Sequence, residues 1–297
     1  MCLLLVRDII LLLIIGNSPF LQSFLAKQTI AFFANHYDIE LSVDKVYLKF
    51  PNEIVLNEIQ MLDSIGDTIL VSHEVSAYIS KVKILDNELY LDKISIINPT
   101  IHADVDTNGV ANYEYILNKF ASEDTDTTES AKFEIYCNNF EIINANLKYR
   151  DRRDLPKNNI FNPSDVEING FNLTVNNFNY YSDSLELDLD NFTFTEKSGI
   201  DIKEISGHFK YCDTAISVSN FTLLTKNSQF NSSLIELIGN DKEYLSDINK
   251  MKLEINIDTL IFDIADLSPF MPEYINIHDK IHLSGLFKGK LSNFKFK

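Results

Sequence analysis

Apolar and polar residues alternate along most of this sequence from residue 39 onward, and the alternation repeatedly skips one position. In the stretch SLELDLDNFTFT, leucines stand at 185, 187 and 189, and the apolar positions resume at Phe192 and Phe194. Successive side chains of a β-strand point to opposite faces, so residues three apart would normally lie on opposite sides of a sheet. A strand with this pattern must therefore bend or turn at each skip.

The same spacing recurs in seven windows, with apolar residues at the first, third, sixth and eighth of eight positions. The skipped pairs are all polar: Asp44-Lys45, Asp92-Lys93, Asn138-Asn139, Asn176-Asn177, Asp190-Asn191, Ser219-Asn220 and Asp258-Thr259. Either a β-bulge or a two-residue hairpin loop would return the flanking apolar residues to one face. Because the arms of such hairpins would be short and no skipped pair is Asn-Gly or Asp-Gly, we favour bends.

The pattern predicts a mainly β fold, in which a long, curled, mostly antiparallel sheet keeps one face apolar through every bend. This face needs a partner, and two solutions remain open. A second sheet could cover it, as in a β-sandwich, or it could form an open apolar groove, a β-taco-like repeat, that meets lipid. In the second case we expect the groove to be lined by Leu187, Leu189, Phe192, Phe194, Ile216, Val218, Phe221, Ile255, Ile257 and Phe262.

Charge and cysteine content restrict the partners. The chain has 43 acidic and 26 basic residues, a net charge of −17, so we expect no nucleic-acid binding. Its three cysteines provide no disulfide framework, and we interpret Cys137 and Cys212 as small apolar fillers, with a single bridge between them as the alternative.

Two short motifs suggest metal sites, and both have simpler explanations. The stretch DVDTNG, Asp104 to Gly109, resembles the start of a calcium loop, but position twelve is Tyr115 instead of a glutamate. We predict a tight turn there. His278 and His282 would lie roughly 13 Å apart on a strand, too far to share a metal. We expect no catalytic residues, no metal and no cofactor, and hence no enzyme.

The N-terminal residues predict attachment to a membrane. Residues 1–16 contain two apolar runs separated by Arg7 and Asp8, which is short for a spanning helix of roughly 20 residues. We favour a membrane anchor whose first turns lie upstream, with a signal peptide and a buried core helix as alternatives. Residues 17–37, with Ser18 as N-cap and Pro19 next, predict an amphipathic helix that closes the end of the sheet.

The rest of the chain divides into two β regions. Residues 38–120 form the first β unit and end in a short helix with Tyr113, Leu117 and Phe120 at helical spacing. Residues 121–131 are acidic and lack large apolar side chains, so we predict that they form a solvated linker. Residues 132–297 continue the alternation to the last residue, which suggests that the sheet is truncated at the C-terminus.

Several segments, in this order, resemble the N-terminal region of TamB-like proteins of diderm bacteria, within the AsmA superfamily. They are the apolar N-terminus, DIELSVDKVYLKFPNEIVLNEIQMLDSIGDTIL, LYLDKISIINPTIHADVDTNGVANYEYIL, SGIDIKEISGHFKYCDTAISVSNFTLLTKNSQF and DIADLSPFMPEYINIHDKIHLSGLFKGKLSNFKF. The resemblance covers nearly the whole chain. It departs from the family in its short, interrupted anchor and in ending while the alternation continues.

The resemblance implies a single-pass inner-membrane protein with most of its chain in the periplasm. In this family an apolar β-groove is implicated in moving phospholipid toward the outer membrane. Its partners would be phospholipid acyl chains, the inner membrane and, through a missing C-terminal region, an outer-membrane barrel protein. Two alternatives stay open: an assembly factor for outer-membrane proteins that acts by strand pairing, and an extracellular β-sandwich binding module.

Overall fold

The computed structural model describes residues 40–49, 52–63, 65–83, 88–114, 134–154, 160–181, 184–239, 251–290 and 293–296. The predicted anchor (1–16), amphipathic helix (17–37) and acidic linker (121–131) lie outside these residues. Of the predicted short helix, only its beginning, up to Glu114, lies inside them.

Fourteen β-strands make up most of the described chain. They are β1 (Leu41–Lys49), β2 (Glu53–Leu62), β3 (Thr68–Lys83), β4 (Glu88–Ile97), β5 (Thr100–Val105), β6 (Glu134–Asp151), β7 (Asp165–Tyr181), β8 (Ser184–Glu196), β9 (Asp201–Cys212), β10 (Ala215–Thr225), β11 (Gln229–Ile238), β12 (Lys252–Asp263), β13 (Lys280–Lys290) and β14 (Asn293–Phe296). The mainly β prediction is confirmed.

All fourteen strands belong to one curled sheet, and neighbours in sequence are neighbours in space almost throughout. The pairing is antiparallel except where β4 and β5 run parallel to β6. A parallel pair needs a crossover connection of a dozen or more residues, and residues 106–133 provide it. The two regions on either side of the acidic stretch are therefore joined in one sheet.

Strands β4 and β5 form one interrupted strand, since both pair with β3 on one side and with β6 on the other. The interruption is Asn98-Pro99. Asn98 has a φ of 50°, in the left-handed region that asparagine tolerates better than most residues. Pro99 has no backbone N–H group and cannot donate a hydrogen bond to a neighbouring strand, so the pairing is interrupted at this position.

Each of the seven skipped pairs lies inside a single strand, so the skips are bends and none is a hairpin. Five of the pairs coincide with interruptions of the pairing register, for example between Ser219 and Thr222 of β10. In two of the seven, the second skipped residue has a positive φ: Asn177 at 51° and Asn220 at 53°. One left-handed residue reverses the alternation and returns the following side chain to the same face.

The bends of adjacent strands lie side by side and crease the sheet. At the crease between β9 and β10, Gly207 has a φ of 155°. A Cβ atom at Gly207 would lie 3.2 Å from a methyl carbon of Val218 and 3.3 Å from the carbonyl oxygen of Ser219. The close approach of the two backbones therefore requires glycine.

Helical structure in the described residues differs from the prediction. The helices that the sequence predicted fall outside the described residues or barely enter them, whereas two short 3-10 helices, Ile264–Leu267 and Pro272–Tyr274, were not predicted. They lie in the connection between β12 and β13, residues 264–279, which we call the strap.

Candidate functional site

The ten residues predicted to line a groove lie on strands β8, β10 and β12. Directly paired residues on neighbouring strands point to the same face, so the register decides whether the ten share a face. Leu187 pairs with Phe209, which pairs with Val218. Val218 pairs in turn with Ile235, and Ile235 pairs with Ile255. One apolar row thus crosses five strands without a polar residue.

The bend in β8 keeps its apolar residues together. Leu189 pairs with Val175 and Phe192 pairs with Leu173 of β7. Leu173 and Val175 are two residues apart in an extended strand, so they share a face. Leu189 and Phe192 therefore lie on that same face, although they are three residues apart.

The remaining predicted residues join the same face through similar links. Phe221 pairs with Ser232, which pairs with Ile257, two residues from Ile255. Leu223 and Leu260 both pair with Phe230. By alternation this places Phe262 on the same face.

Burial on this face is incomplete. Of the ten predicted residues only Val218 is buried, with 8% of its surface exposed, and the other nine are half-buried. Within the described chain the side chains below 2% exposure are Val46, Val55, Ser72 and Ser232. No leucine or aromatic ring there is as fully buried. A second layer of protein over the face would bury such residues, so the described residues provide no such layer.

Aromatic rings concentrate the apolar surface at two places on the face. Phe192 makes edge-to-face contacts with Phe171 and Phe194, with ring centroids 5.2 and 5.6 Å apart. Phe221 meets Phe230 at 5.6 Å. These contacts fix ring orientation while leaving part of each ring accessible.

The opposite face is polar along the crease. Asn138 Nδ2 donates to Asp92 Oδ1 at 3.0 Å. Asn177 Nδ2 donates to Asp188 Oδ2 at 2.7 Å, and His208 Nδ1 lies 2.5 Å from Asp188 Oδ1. The hydrogen bond from Asn177, followed by that to His208, lowers the pKa of Asp188. The skipped pairs thus stabilise the bends through polar contacts between strands.

The apolar face extends further than the sequence predicted. A row through Val46, Leu56, Val75, Ile96 and Ile142 leads to Leu173 and Phe192. None of the ten predicted groove residues lies in β1 to β7, although the same spacing of apolar residues occurs in β1, β4, β6 and β7.

Two further bends were missed. Glu58 and Asn144 also have positive φ angles, 49° and 54°. Both occupy the second skipped position of the same spacing, in windows 54–61 and 140–147. Window 54–61 fits the spacing in full, with the polar pair Asn57-Glu58, whereas window 140–147 has an apolar residue, Ile143, in its skipped pair.

The strap folds against one end of the apolar face. Asp266 accepts hydrogen bonds from Thr225 Oγ1 and Ser228 Oγ, both at 2.5 Å, and from Asn227 Nδ2 at 2.7 Å. The strap thereby attaches to the turn between β10 and β11.

A second attachment joins the strap to the segment that precedes β7. Phe161 N donates to Pro269 O at 2.6 Å, and the rings of Phe161 and Phe270 are 5.5 Å apart. A cavity of about 540 Å³ lies between the strap and the sheet, and Phe262 lines it.

The predicted turn at Asp104 to Gly109 is confirmed. Asp106 Oδ1 accepts from the backbone N–H groups of Asn108 and Val110 at 2.8 and 2.9 Å, and the Val110 bond contributes most to lowering the pKa of Asp106. Gly109 has a φ of 90°. Among the described residues no cluster of three or more His, Cys, Asp or Glu is arranged to hold a metal ion.

Cys137 and Cys212 are unpaired. Cys137 is buried in β6 and Cys212 ends β9, three strands away, which corresponds to about 14 Å across the sheet. A disulfide needs Cα atoms within about 7 Å. The interpretation of both as fillers fits this geometry.

Comparison with protein-family models finds no match to this chain, and comparison with curated proteins finds none either. Among the described residues there is no helix with the length and apolar character needed to cross a membrane.

Proposed function

We propose that this protein is a conduit for phospholipid, anchored in the inner membrane and extending into the periplasm. The observation that carries the proposal is the apolar face that the described residues leave uncovered. Its rows of apolar residues run from strand to strand, and most of its large side chains are half-buried. In this proposal the sheet is an open groove and acyl chains occupy the space that a second protein layer would fill. The resemblance to TamB-like proteins supports the same function, location and membrane attachment.

The energetics favour an extended surface over a tight pocket. A buried methylene is worth about 0.8 kcal/mol, so a 16-carbon chain in water is unfavourable by roughly 10 kcal/mol. A continuous apolar row removes most of that barrier at every step. Twelve steps of about 4.8 Å between neighbouring strands make the described sheet about 58 Å long. Transport along it requires no chemical reaction, which agrees with the expectation that the protein is not an enzyme.

The proposal predicts that phospholipid co-purifies with the protein. Lipids extracted from protein purified in mild detergent would be identified by mass spectrometry. A protein that carries no lipid but co-purifies with an outer-membrane barrel would instead favour an assembly factor. The single described sheet makes a two-sheet binding module the weaker alternative.

Neighbouring positions in β10 offer a matched pair of variants. Ile216 pairs with Tyr211 and Leu237 on the apolar face, whereas Ser217 points to the other face beside Lys210. We expect Ile216→Asp to slow phospholipid transfer between vesicles about tenfold, because a charge interrupts the apolar row. Ser217→Asp should leave the transfer rate unchanged.

Thermal unfolding of both variants separates transfer from folding, and Ile216→Ala serves as a variant that removes bulk without adding charge. Transfer by Ile216→Ala should stay near the wild-type rate. Equal transfer by Ile216→Asp and Ser217→Asp, with both folded, would rule out the proposed path.

A further inference from the structure

The cavity beneath the strap differs from the rest of the apolar face because it is enclosed from two sides. Its floor includes Leu223, Phe230 and Leu260, which are direct neighbours across β10, β11 and β12. Leu267 and Phe270 of the strap form the opposite wall. A volume of about 540 Å³ falls within the range of roughly 300–1,000 Å³ that small-molecule sites occupy.

The lining of the cavity includes one lysine that pairs with no acidic side chain in the described part of the chain. Lys226 lines the cavity and is exposed, and it makes no ion pair with the described residues. The two carboxylates that also line the cavity are already engaged. Asp266 accepts three hydrogen bonds from the β10–β11 turn, and Asp201 lies 2.7 Å from Lys203 Nζ. Lys226 is therefore the lysine of this lining that is available to an anionic head group.

Hydroxyl and amide groups also line the cavity. Ser198 and Gln229 are among them, and both are half-buried. Apolar walls with a few polar groups and one cation match an amphiphile that has an acyl chain and an anionic head. A free anion would leave the apolar walls without a partner, and a neutral hydrocarbon would leave Lys226 without one.

We infer that this cavity is a discrete binding site for one phospholipid, with an acyl chain between the strap and the sheet and the phosphate beside Lys226. The inference rests on the proposed function and adds to it one defined position on the apolar face at which a lipid is bound. Because both sides of the acyl chain are covered there, a lipid dissociates from this site more slowly than from the open rows.

The test uses the full chain in detergent micelles and a phosphatidylglycerol that carries a diazirine on one acyl chain. Crosslinked peptides identified by mass spectrometry report where the acyl chain lies. We expect labelling in the strap and in the β10–β11 segment, besides labelling along β8 from the open face. Lys226→Glu should reduce the strap labelling about tenfold and leave the β8 labelling unchanged, whereas Lys226→Arg should retain both.

Lys252→Glu is the matched control. Lys252 is also exposed but lies at the opposite end of β12, and it makes no ion pair with the described residues. It should not change strap labelling. All three substitutions are at exposed positions, and circular dichroism confirms that the variants fold.

Each possible result is decisive. Labelling of β8 without labelling of the strap would overturn the site and leave the proposed conduit intact, whereas no labelling anywhere would overturn both. Strap labelling that is equal in wild type and Lys226→Glu would overturn the role of Lys226 in binding the head group. A diazirine palmitate that labels the strap as strongly as the phospholipid would overturn the assignment of a phosphodiester lipid.

Discussion

The side chain of Asn177 in β7 donates a hydrogen bond to Asp188 Oδ2 in β8 at 2.7 Å, while the backbone of Asn177 adopts a left-handed φ of 51°. The two features occur together because the left-handed residue turns its side chain toward the neighbouring strand. One residue therefore bends its own strand and fastens the bend to the next.

Substitutions at Asn177 should separate these two contributions. A left-handed φ is unfavourable by about 1–2 kcal/mol for a residue with a Cβ atom and is more so for a β-branched one. We expect Asn177→Val to lower the free energy of unfolding by about 2 kcal/mol, whereas Asn177→Gly loses only the side-chain hydrogen bond. Urea denaturation measures both. Thr174→Val, in the same strand, should be nearly neutral, and equal destabilisation by Val and Gly at 177 would contradict the left-handed assignment.

The bends show what the sequence could predict. Their positions follow from local spacing, because one reversed residue shifts every later side chain by one step. The strap could not be predicted this way. Asp266 is fixed by Thr225, Asn227 and Ser228, about forty residues earlier in the chain, and Phe161 reaches Pro269 over more than a hundred residues. Alternation carries no information about such contacts, or about the parallel pairing of β4 with β6.

For the candidate site, the sequence could predict only which residues share one face of the sheet. The ten predicted residues lie together because alternation and bends determine side-chain direction. Their partners, such as Phe209 and Ile235, depend on strand register, and the cavity depends on the strap. Lys226 had no distinguishing sequence signal, since an exposed lysine in a turn is ordinary.

The strap should loosen when Asp266 is removed. Asp266→Ala leaves three donors of the β10–β11 turn without their acceptor. Because these groups are partly exposed to solvent, we expect the three hydrogen bonds together to stabilise the attachment of the strap by about 2 kcal/mol. We expect hydrogen exchange of strap amides to accelerate about 30-fold while exchange in β8 is unchanged. Asp258→Ala, which loses one contact from Ser233, should leave the strap as it is. If the hydrogen exchange of the strap amides were the same in Asp266→Ala as in wild type, other contacts would hold this segment in place.

Acid should weaken the end of β6. Arg153 donates to both carboxylate oxygens of Asp151, at 2.9 and 2.6 Å, and this contact lowers the pKa of Asp151 to about 2. In the unfolded chain the value is about 3.9. Because the folded pKa is the lower one, the stabilisation is complete above about pH 4 and is lost as the pH falls toward 2.

Asp151→Asn should therefore be less stable than wild type at pH 6, and the difference should shrink toward zero near pH 2. Urea denaturation across this range measures it. Asp44→Asn, at an exposed position of β1, is the control. A wild-type advantage that persists undiminished at pH 2 would contradict the assigned pair.

The two described cysteines should react at different rates. Burial raises the pKa of the Cys137 thiol, whereas hydrogen bonding from the Thr214 backbone lowers that of Cys212. Since the thiolate is the nucleophile, iodoacetamide at pH 8 should label Cys212 at least about tenfold faster than Cys137. Peptide mass spectrometry distinguishes the two sites. Recovery of a Cys137–Cys212 disulfide peptide from untreated protein would contradict the unpaired state.

The order of strands from β7 to β14 has a consequence for how such a protein can change over evolution. Each of these strands pairs only with the strands directly before and after it in the sequence. Gain or loss of a hairpin there preserves every other pairing, as it does for repeat proteins with nearest-neighbour interfaces. Length is thus an adjustable trait, because strands can be added or removed in this part of the sheet without redesigning the rest of its interior.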